Sequence, residues 1–432
     1  MSAPSQQEPS AWAYLRLVLL GALVGIPAAF VAAGFIALVH YLQHWLWEDL
    51  PDALGHSSPP WYLVLFLPVV GGALVLAART LLPGDGGHRP LEGIAMAPTP
   101  PSHALSIALA SLATLAFGGV LGPEAPLIAL GSVVGLVLTS FARLDPREST
   151  VLSTAGSFSA ISALFGGPIV GGVLMVEGAV GLGVGALPVL VPGFVAAAVG
   201  YVIFIGFGDW GGLDAPGLVI PSLPTYDGMH LGDLFLAIVV GVLTVLVVAV
   251  VRALATRIDG RGQAHLGLPA ILIGGAAAVG ALAVLADALG ANSQDVLFSG
   301  QASVPTLATE DSTRIVLILL VAKALAYGVS LGCGFRGGPV FPAIFLGIGL
   351  AMLAVIWFDQ SPTWAIAAGA AAGTAAVTRM LLTSMVLATL LVGQAGLDAV
   401  PSAVLAASAA WLAVTALERR NRRAAEPAGA GA

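Results

Sequence analysis

Charge is scarce in this 432-residue chain: 9% of its residues are charged, 58% are hydrophobic, and the mean hydropathy is +0.98. Soluble domains carry roughly a quarter charged residues. A chain this poor in charge cannot clothe a water-facing surface, which excludes an ordinary cytosolic globule. Cysteine is nearly missing too. The single one, Cys333, excludes an intrachain disulfide and a thiolate metal site, and between two glycines it reads as a small packing residue. Lysine is reduced to Lys323, and the formal net charge of −7 leaves no basic face for phosphates, so nucleic acid is not an expected partner. Residues 1–10 lack a basic n-region and a small-residue cleavage site, so the first apolar run reads as a retained helix and not a signal peptide.

What is present is apolar length. A membrane-spanning helix needs about 20 apolar residues, and the runs here suffice for about ten spans with several shorter pieces. The run from Trp12 to Trp47 exceeds one perpendicular span and predicts a tilted helix, followed by a second run from Trp61 to Leu82. The segment Glu48 to Pro60 and the Pro/Gly-rich connection 209–233 contain acidic residues but no Lys or Arg. Arg16, Arg79, Arg143, Arg147, the cluster Arg252, Arg257 and Arg261, and the tail from Arg419 therefore fall to the cytoplasm by the positive-inside rule. Both termini go with them. The expected organisation is a tail at 1–10, a first transmembrane half at 11–208, an extracytoplasmic connection at 209–233, a second half at 234–417 and a cytoplasmic tail at 418–432. Trp45, Trp47 and Trp61 read as interfacial belt.

Both halves contain apolar pieces broken by Gly and Pro, at 84–101 and 118–132 in the first and 332–347 in the second. Discontinuous helices in corresponding positions of two halves point to a transport site near the bilayer midplane. If the first half enters from the cytoplasm and the second from outside, the halves are inverted repeats.

The most informative break is Gly118-Gly119-Val120-Leu121-Gly122-Pro123-Glu124-Ala125-Pro126, with a new apolar helix after it. A helix N-terminus offers unpaired N–H groups and a positive dipole end, which suits an anion. Broken backbone survives in a bilayer only where protein buries it or water reaches it. Glu124 sits at this break among apolar neighbours, where a charge costs a few kcal/mol. Ionised, it can occupy the anion site; protonated, it leaves and opens the path. The bland reading is a carboxylate capping the helix behind it. A second break, Gly332 to Pro342, carries Arg336, which either supplies charge to an anion or pairs with an acidic neighbour such as Asp85. A third, Pro83 to Gly93, includes Asp85, Gly87, His88 and Arg89. If each break starts a helix, the three describe a site of convergent helix N-termini.

These motifs resemble the chloride channel/transporter (CLC) family. Gly122-Pro123-Glu124-Ala125-Pro126 looks like its GxEGP motif, with Glu124 at the gating glutamate. Gly337-Gly338-Pro339-Val340-Phe341-Pro342 is similar to GGxFxP, and Gly86-Gly87-His88-Arg89-Pro90 stands at GSGxP. Ala163 to Gly172 and Val377 to Thr383 resemble two further family segments. The resemblance runs in order from about residue 12 to 420. It implies an all-α polytopic membrane fold of two inverted-topology halves with broken, re-entrant helices, in a short bacterial-type member without CBS domains. It implies transport of a small monovalent anion, chloride foremost, through the cell (inner) membrane by a homodimer, with no cofactor beyond the bound anion. Proton-coupled antiport of chloride or another halide is the alternative.

Departures from the family pattern bear on the site. Its serine falls on Gly87, Pro339 lacks an N–H, no tyrosine follows Tyr327, and the internal proton-transfer glutamate falls on Gly178, one residue past Glu177. The expected anion ligands are therefore Gly122, Pro123, Ala125, Gly87, His88, Gly337, Gly338, Val340, Phe341 and Arg336, with Arg89 in support and Glu177 as a candidate proton relay. Lys323 either adds positive potential to the path or snorkels to the surface. His40 and His44 are spaced for a metal but lack a third ligand, so no metal is expected. An intramembrane hydrolase would have to use Ser157 and His265, which nothing in the sequence ties together, and an HExxH motif is absent.

Overall fold

A computed structural model describes residues 11–142, 144–181, 187–213, 218–226, 228–261 and 267–425. The N-terminal tail 1–10, Arg143, His265 and the tail end 426–432 lie outside the described residues. In chain order the helices are α1 (Ala11–His44), which runs through a π turn into α2 (Leu50–Ala53), then α3 (Trp61–Leu81), α4 (Ala104–Ala116), α5 (Glu124–Ala142), α6 (Pro146–Leu164), α7 (Pro168–Gly181) and α8 (Leu187–Ile205). The second half holds α9 (Leu231–Arg261), α10 (Gly267–Ala288), the single turns α11 (Ser293–Val296) and α12 (Val304–Leu307), α13 (Thr313–Gly332), α14 (Val340–Phe358), α15 (Pro362–Thr378), α16 (Leu381–Val392) and α17 (Val400–Ala425).

Polar caps start several of them. Asp145 accepts from the N–H groups of Arg147 and Glu148 in a capping box at α6, and Ser312 and Ser361 cap α13 and α15. Pro27, Pro68 and Pro192 lie inside α1, α3 and α8 without ending them, as lipid-buried helices tolerate. Among the described residues, eight helical stretches are long and apolar enough to cross a membrane, fewer than the ten expected. The stretch Pro101–Ala116 is apolar but shorter than these.

The chain forms two compact units, one of residues 1–36, 96–104 and 127–216, the other of 37–95, 105–126 and 217–432. In the first, α5 and α6 cross with their backbones in contact. A Cβ added at Gly131 would lie 2.4 Å from the Gly156 carbonyl oxygen, and one at Gly135 2.3 Å from that of Leu152. In the second, α14 and α15 cross the same way, with 2.1 Å from Gly347 to the Gly369 oxygen and 2.2 Å from Gly373 to that of Ala343. Small residues permit such close approach in membranes. Each crossing is followed by a left-handed turn, at Gly166 (φ 64°) before α7 and at Arg379 (φ 60°) before α16. The order helix, break, two crossed helices, left-handed turn, helix thus recurs from α4 to α7 and from α13 to α16.

Some boundaries differ from expectation. Helix α9 begins at Leu231, inside the expected connection, and α17 carries the Arg-rich segment in helical form to Ala425, with Glu418 paired to Arg379 at 2.7 Å. Trp45 and Trp61 are exposed as belt residues should be, but Trp47 is buried. Its indole N–H donates to the Ala116 carbonyl (2.9 Å) and its ring meets Phe298 edge-on.

Candidate functional site

Two of the three breaks meet. Residues 118–123 lead into α5 and 334–339 into α14, and a reciprocal antiparallel pair of hydrogen bonds joins them: Gly122 N–H to the Gly338 carbonyl (2.7 Å) and Gly338 N–H to that of Gly122 (2.6 Å). The bridge sets the first turns of both helices side by side. Glu124, the first residue of α5, is fully buried. Its Oε1 accepts from the Val340 N–H at 2.5 Å, and the N–H groups of Phe341 and of Glu124 itself also act on the carboxylate. These donors open a helix and have no intrahelical acceptor, so they form an anion seat at the positive end of the dipole. Oε2 has no hydrogen-bond partner, which leaves it the atom for a proton to occupy.

Glycine is required around this seat. A Cβ at Gly122 would lie 2.0 Å from Glu124 Oε2, one at Gly338 2.0 Å from Glu124 Cδ, and one at Gly337 2.7 Å from Leu121 Cβ. Pro123 and Ala125 flank Glu124 along the chain. Gly338→Ala is therefore expected to expel the flexible Glu124 side chain and leave flux insensitive to pH, with a modest loss of stability. Gly347→Ala, whose Cβ meets rigid backbone, is expected to destabilise instead; vesicle flux against pH and thermal unfolding of both variants check this.

Tyr327, which is not among the expected site residues, joins the site. It is fully buried on α13, its hydroxyl donates to the Pro339 carbonyl at 2.7 Å, and it lies near enough to Glu124 to feel its charge. The available signal was a polar tip on an apolar helix running into the second break, since a buried tyrosine hydroxyl needs a partner.

The third break does not start a helix. It opens a single 3-10 turn, Pro90–Glu92, and α4 begins only at Ala104. Gly84, Asp85, Gly86 and Gly87 all have positive φ (101°, 49°, 70° and 93°), so the segment coils into a loop. Gly87 packs on Ile107, and His88 Nδ1 lies 3.8 Å from Glu92. The loop delivers Asp85 to two arginines. Arg79 donates to it from Nε (2.8 Å) and Nη2 (3.0 Å), and Arg336 from Nη2 (2.7 Å), while Arg336 Nε donates to the Asp85 backbone carbonyl (2.9 Å). Of its two expected roles Arg336 thus takes the pair with Asp85, and its side chain is engaged there and not on Glu124. Burial works against ionisation of Asp85, but Arg79 and Arg336 outweigh it and hold the carboxyl below the usual carboxylate range. Arg89 pairs with Asp259 and Glu92, not with Asp85.

Lys323 does not snorkel to the surface. It is fully buried, and its Nζ donates to the carbonyls of Asp295 (3.0 Å), Leu297 (2.6 Å) and Phe298 (3.1 Å) beside the Phe345 ring. Three acceptors match the three protons of an ammonium. The loop it holds lines a cavity of about 740 Å³ whose wall includes Trp47, Leu121, Pro123, Phe298 and Phe341, so the cavity reaches both the segment before Glu124 and the first turn of α14.

Glu177 lies half-buried on α7 in the other compact unit, followed by Gly178. Ser157 is buried with its hydroxyl donated to the Ile128 carbonyl at 2.8 Å, a helix-packing contact. His44 pairs with Glu48 and Asp49, and no group of three or more potential metal ligands gathers among the described residues.

Residues 90–414 match the family described as voltage gated chloride channel. Relatives include the putative ion-transport protein YfeO of Escherichia coli O17:K52:H18 (strain UMN026), 28% identical over 357 residues, and that of Escherichia fergusonii, 28% over 364, each match covering 80% of both chains. Among solved structures, a slow cyanobacterial Cl⁻/H⁺ antiporter superposes with a TM-score of 0.72 at 18% identity, covering 94% of this chain and 98% of that one. A CLC-type fluoride/proton antiporter gives 0.67 at 19% identity, covering 94% and 96%. The profile match spans most of the chain and includes both halves of the Glu124 seat, and the chain belongs to the voltage-gated chloride channel (CLC) family.

Proposed function

We propose that the protein moves a small monovalent anion, chloride foremost, across the cell (inner) membrane along a path on which the Glu124 carboxylate occupies the anion's own seat. The observation that carries this reading is the bond from the Val340 N–H to Glu124 Oε1 at the start of α14, where a negative charge is held by helix-terminal donors. The 740 Å³ cavity then serves as the outer vestibule and the Asp85 cluster marks the cytoplasmic end. Family membership supports both termini in the cytoplasm, the two halves inverted in the bilayer, and a homodimer. The seat gives the chain a means of binding and releasing an anion, whereas the serine of the hydrolase reading is engaged in helix packing.

The solved neighbours are antiporters by their descriptions. In this chain glycine stands where the internal proton-transfer glutamate belongs, with Glu177 one residue away. A glycine cannot carry a proton, so transport is expected to be passive or at most loosely coupled. Flux of chloride, fluoride and nitrate from vesicles, with proton movement tracked in the same sample, tests both points. No anion flux overturns the transport reading, and a fixed proton-to-anion ratio that drives protons uphill overturns passive transport alone.

A further inference from the structure

The Asp85 carboxylate accepts three hydrogen bonds from two guanidiniums, and the partners differ sharply in exposure: the Asp85 side chain is 58% exposed, that of Arg79 10% and that of Arg336 2%. Two cations therefore share one anion, and the anion is the member that faces solvent. Both guanidiniums also hold backbone carbonyls. Arg79 Nη1 donates to the Gly334 carbonyl at 2.8 Å, and Arg336 Nε donates to the Asp85 backbone carbonyl at 2.9 Å. Asp85 rides on a loop of four consecutive left-handed residues, of which Asp85 alone is not glycine. Two guanidiniums converging on a planar pair of oxygens suit any small planar oxyanion, and they bind it in the fork geometry that lysine cannot offer.

We propose that the Arg79–Arg336 pair is a second anion site, four residues ahead of Val340, and that the Asp85 carboxylate is its built-in competitor. An anion arriving from the exposed side displaces the Asp85 carboxylate, whose side chain rotates out while its backbone carbonyl stays on Arg336 Nε, and then lies beside the break that leads to the Glu124 seat. The inference rests on the transport reading for its purpose, not for its binding chemistry. The arginines prefer a planar oxyanion to a spherical halide, so nitrate is the probe and chloride the comparison.

Calorimetric titration of nitrate and chloride into the full-length protein, wild type and Asp85→Asn, tests the site. Asp85→Asn is expected to tighten nitrate binding about tenfold, or to add a binding event that the wild type lacks, and Asp85→Asn combined with Arg336→Gln is expected to lose it. Nitrate titrations identical to wild type, with a lower unfolding temperature, would show a purely structural ion pair and overturn the proposal. If Asp85→Asn does not fold, Arg79→Gln decides: the nitrate concentration for half-maximal flux from the cytoplasmic side should rise about tenfold, and an unchanged value overturns the proposal. Chloride titration of Glu124→Gln reports the other seat separately, so a failure of the transport reading is visible apart from this one.

Discussion

Glu124→Gln is expected to conduct at every pH, with neutral-pH flux far above wild type. The reason lies in what competes for the seat. The ionised carboxylate takes the Val340 N–H through a charge-assisted bond, and the amide that replaces it does not carry that charge. A charge-assisted hydrogen bond contributes about 2 kcal/mol, so its loss raises anion occupancy of the seat roughly thirtyfold. The sign follows from the same geometry. In the wild type a falling pH protonates Glu124 at Oε2, the oxygen without a partner, and releases the charge from the seat, so flux rises as pH falls. The variant has nothing to titrate and its profile is flat. Flux from vesicles over a range of pH is the measurement, and a Glu124→Gln protein with the pH dependence of wild type would sink the gating role.

Lys323→Met is expected to give the largest loss of stability among single substitutions outside the glycine crossings. The ammonium is the shared donor for the Asp295, Leu297 and Phe298 carbonyls, and Met can fill the stem's volume but donates nothing. Three buried carbonyls left bare cost about 3 kcal/mol together, part of which is returned because no ammonium has to be desolvated. The freed loop also carries Phe298, whose N–H donates to the Gly118 carbonyl (3.4 Å) and whose ring packs on Trp47. The effect therefore reaches the break before Glu124. Tryptophan fluorescence during thermal unfolding reports it, and an unfolding midpoint equal to wild type would mean that the three carbonyls find other donors.

Much of this was legible in the residues alone. Low charge and long apolar runs determine a membrane solvent, because a bilayer selects for composition before it selects for shape. Glu124 announced itself for the same reason: an acid among glycines, prolines and aliphatic neighbours is too costly to be incidental. The breaks at 118–123 and 332–339 could be read because Gly and Pro act locally on the backbone, and local effects are what a sequence displays.

Partner choice was decided only in three dimensions. Arg336 had Asp85 and an anion at the breaks as candidate partners, and nothing in a sequence separation of 251 residues selects between them. Asp85 won because a left-handed glycine loop carries it to Arg79 and Arg336 together, a geometry no composition rule encodes. Lys323 was read as a charge seeking water or the pathway, and it found three carbonyls on a loop more than 20 residues away in the chain. Tyr327 was passed over because its acceptor, the Pro339 carbonyl, belongs to the next helix. In each case the local sequence determined that a polar group must be satisfied, and the packing of distant segments decided by what. Hydrogen bonds demand partners within about 3 Å in space, whatever their distance along the chain.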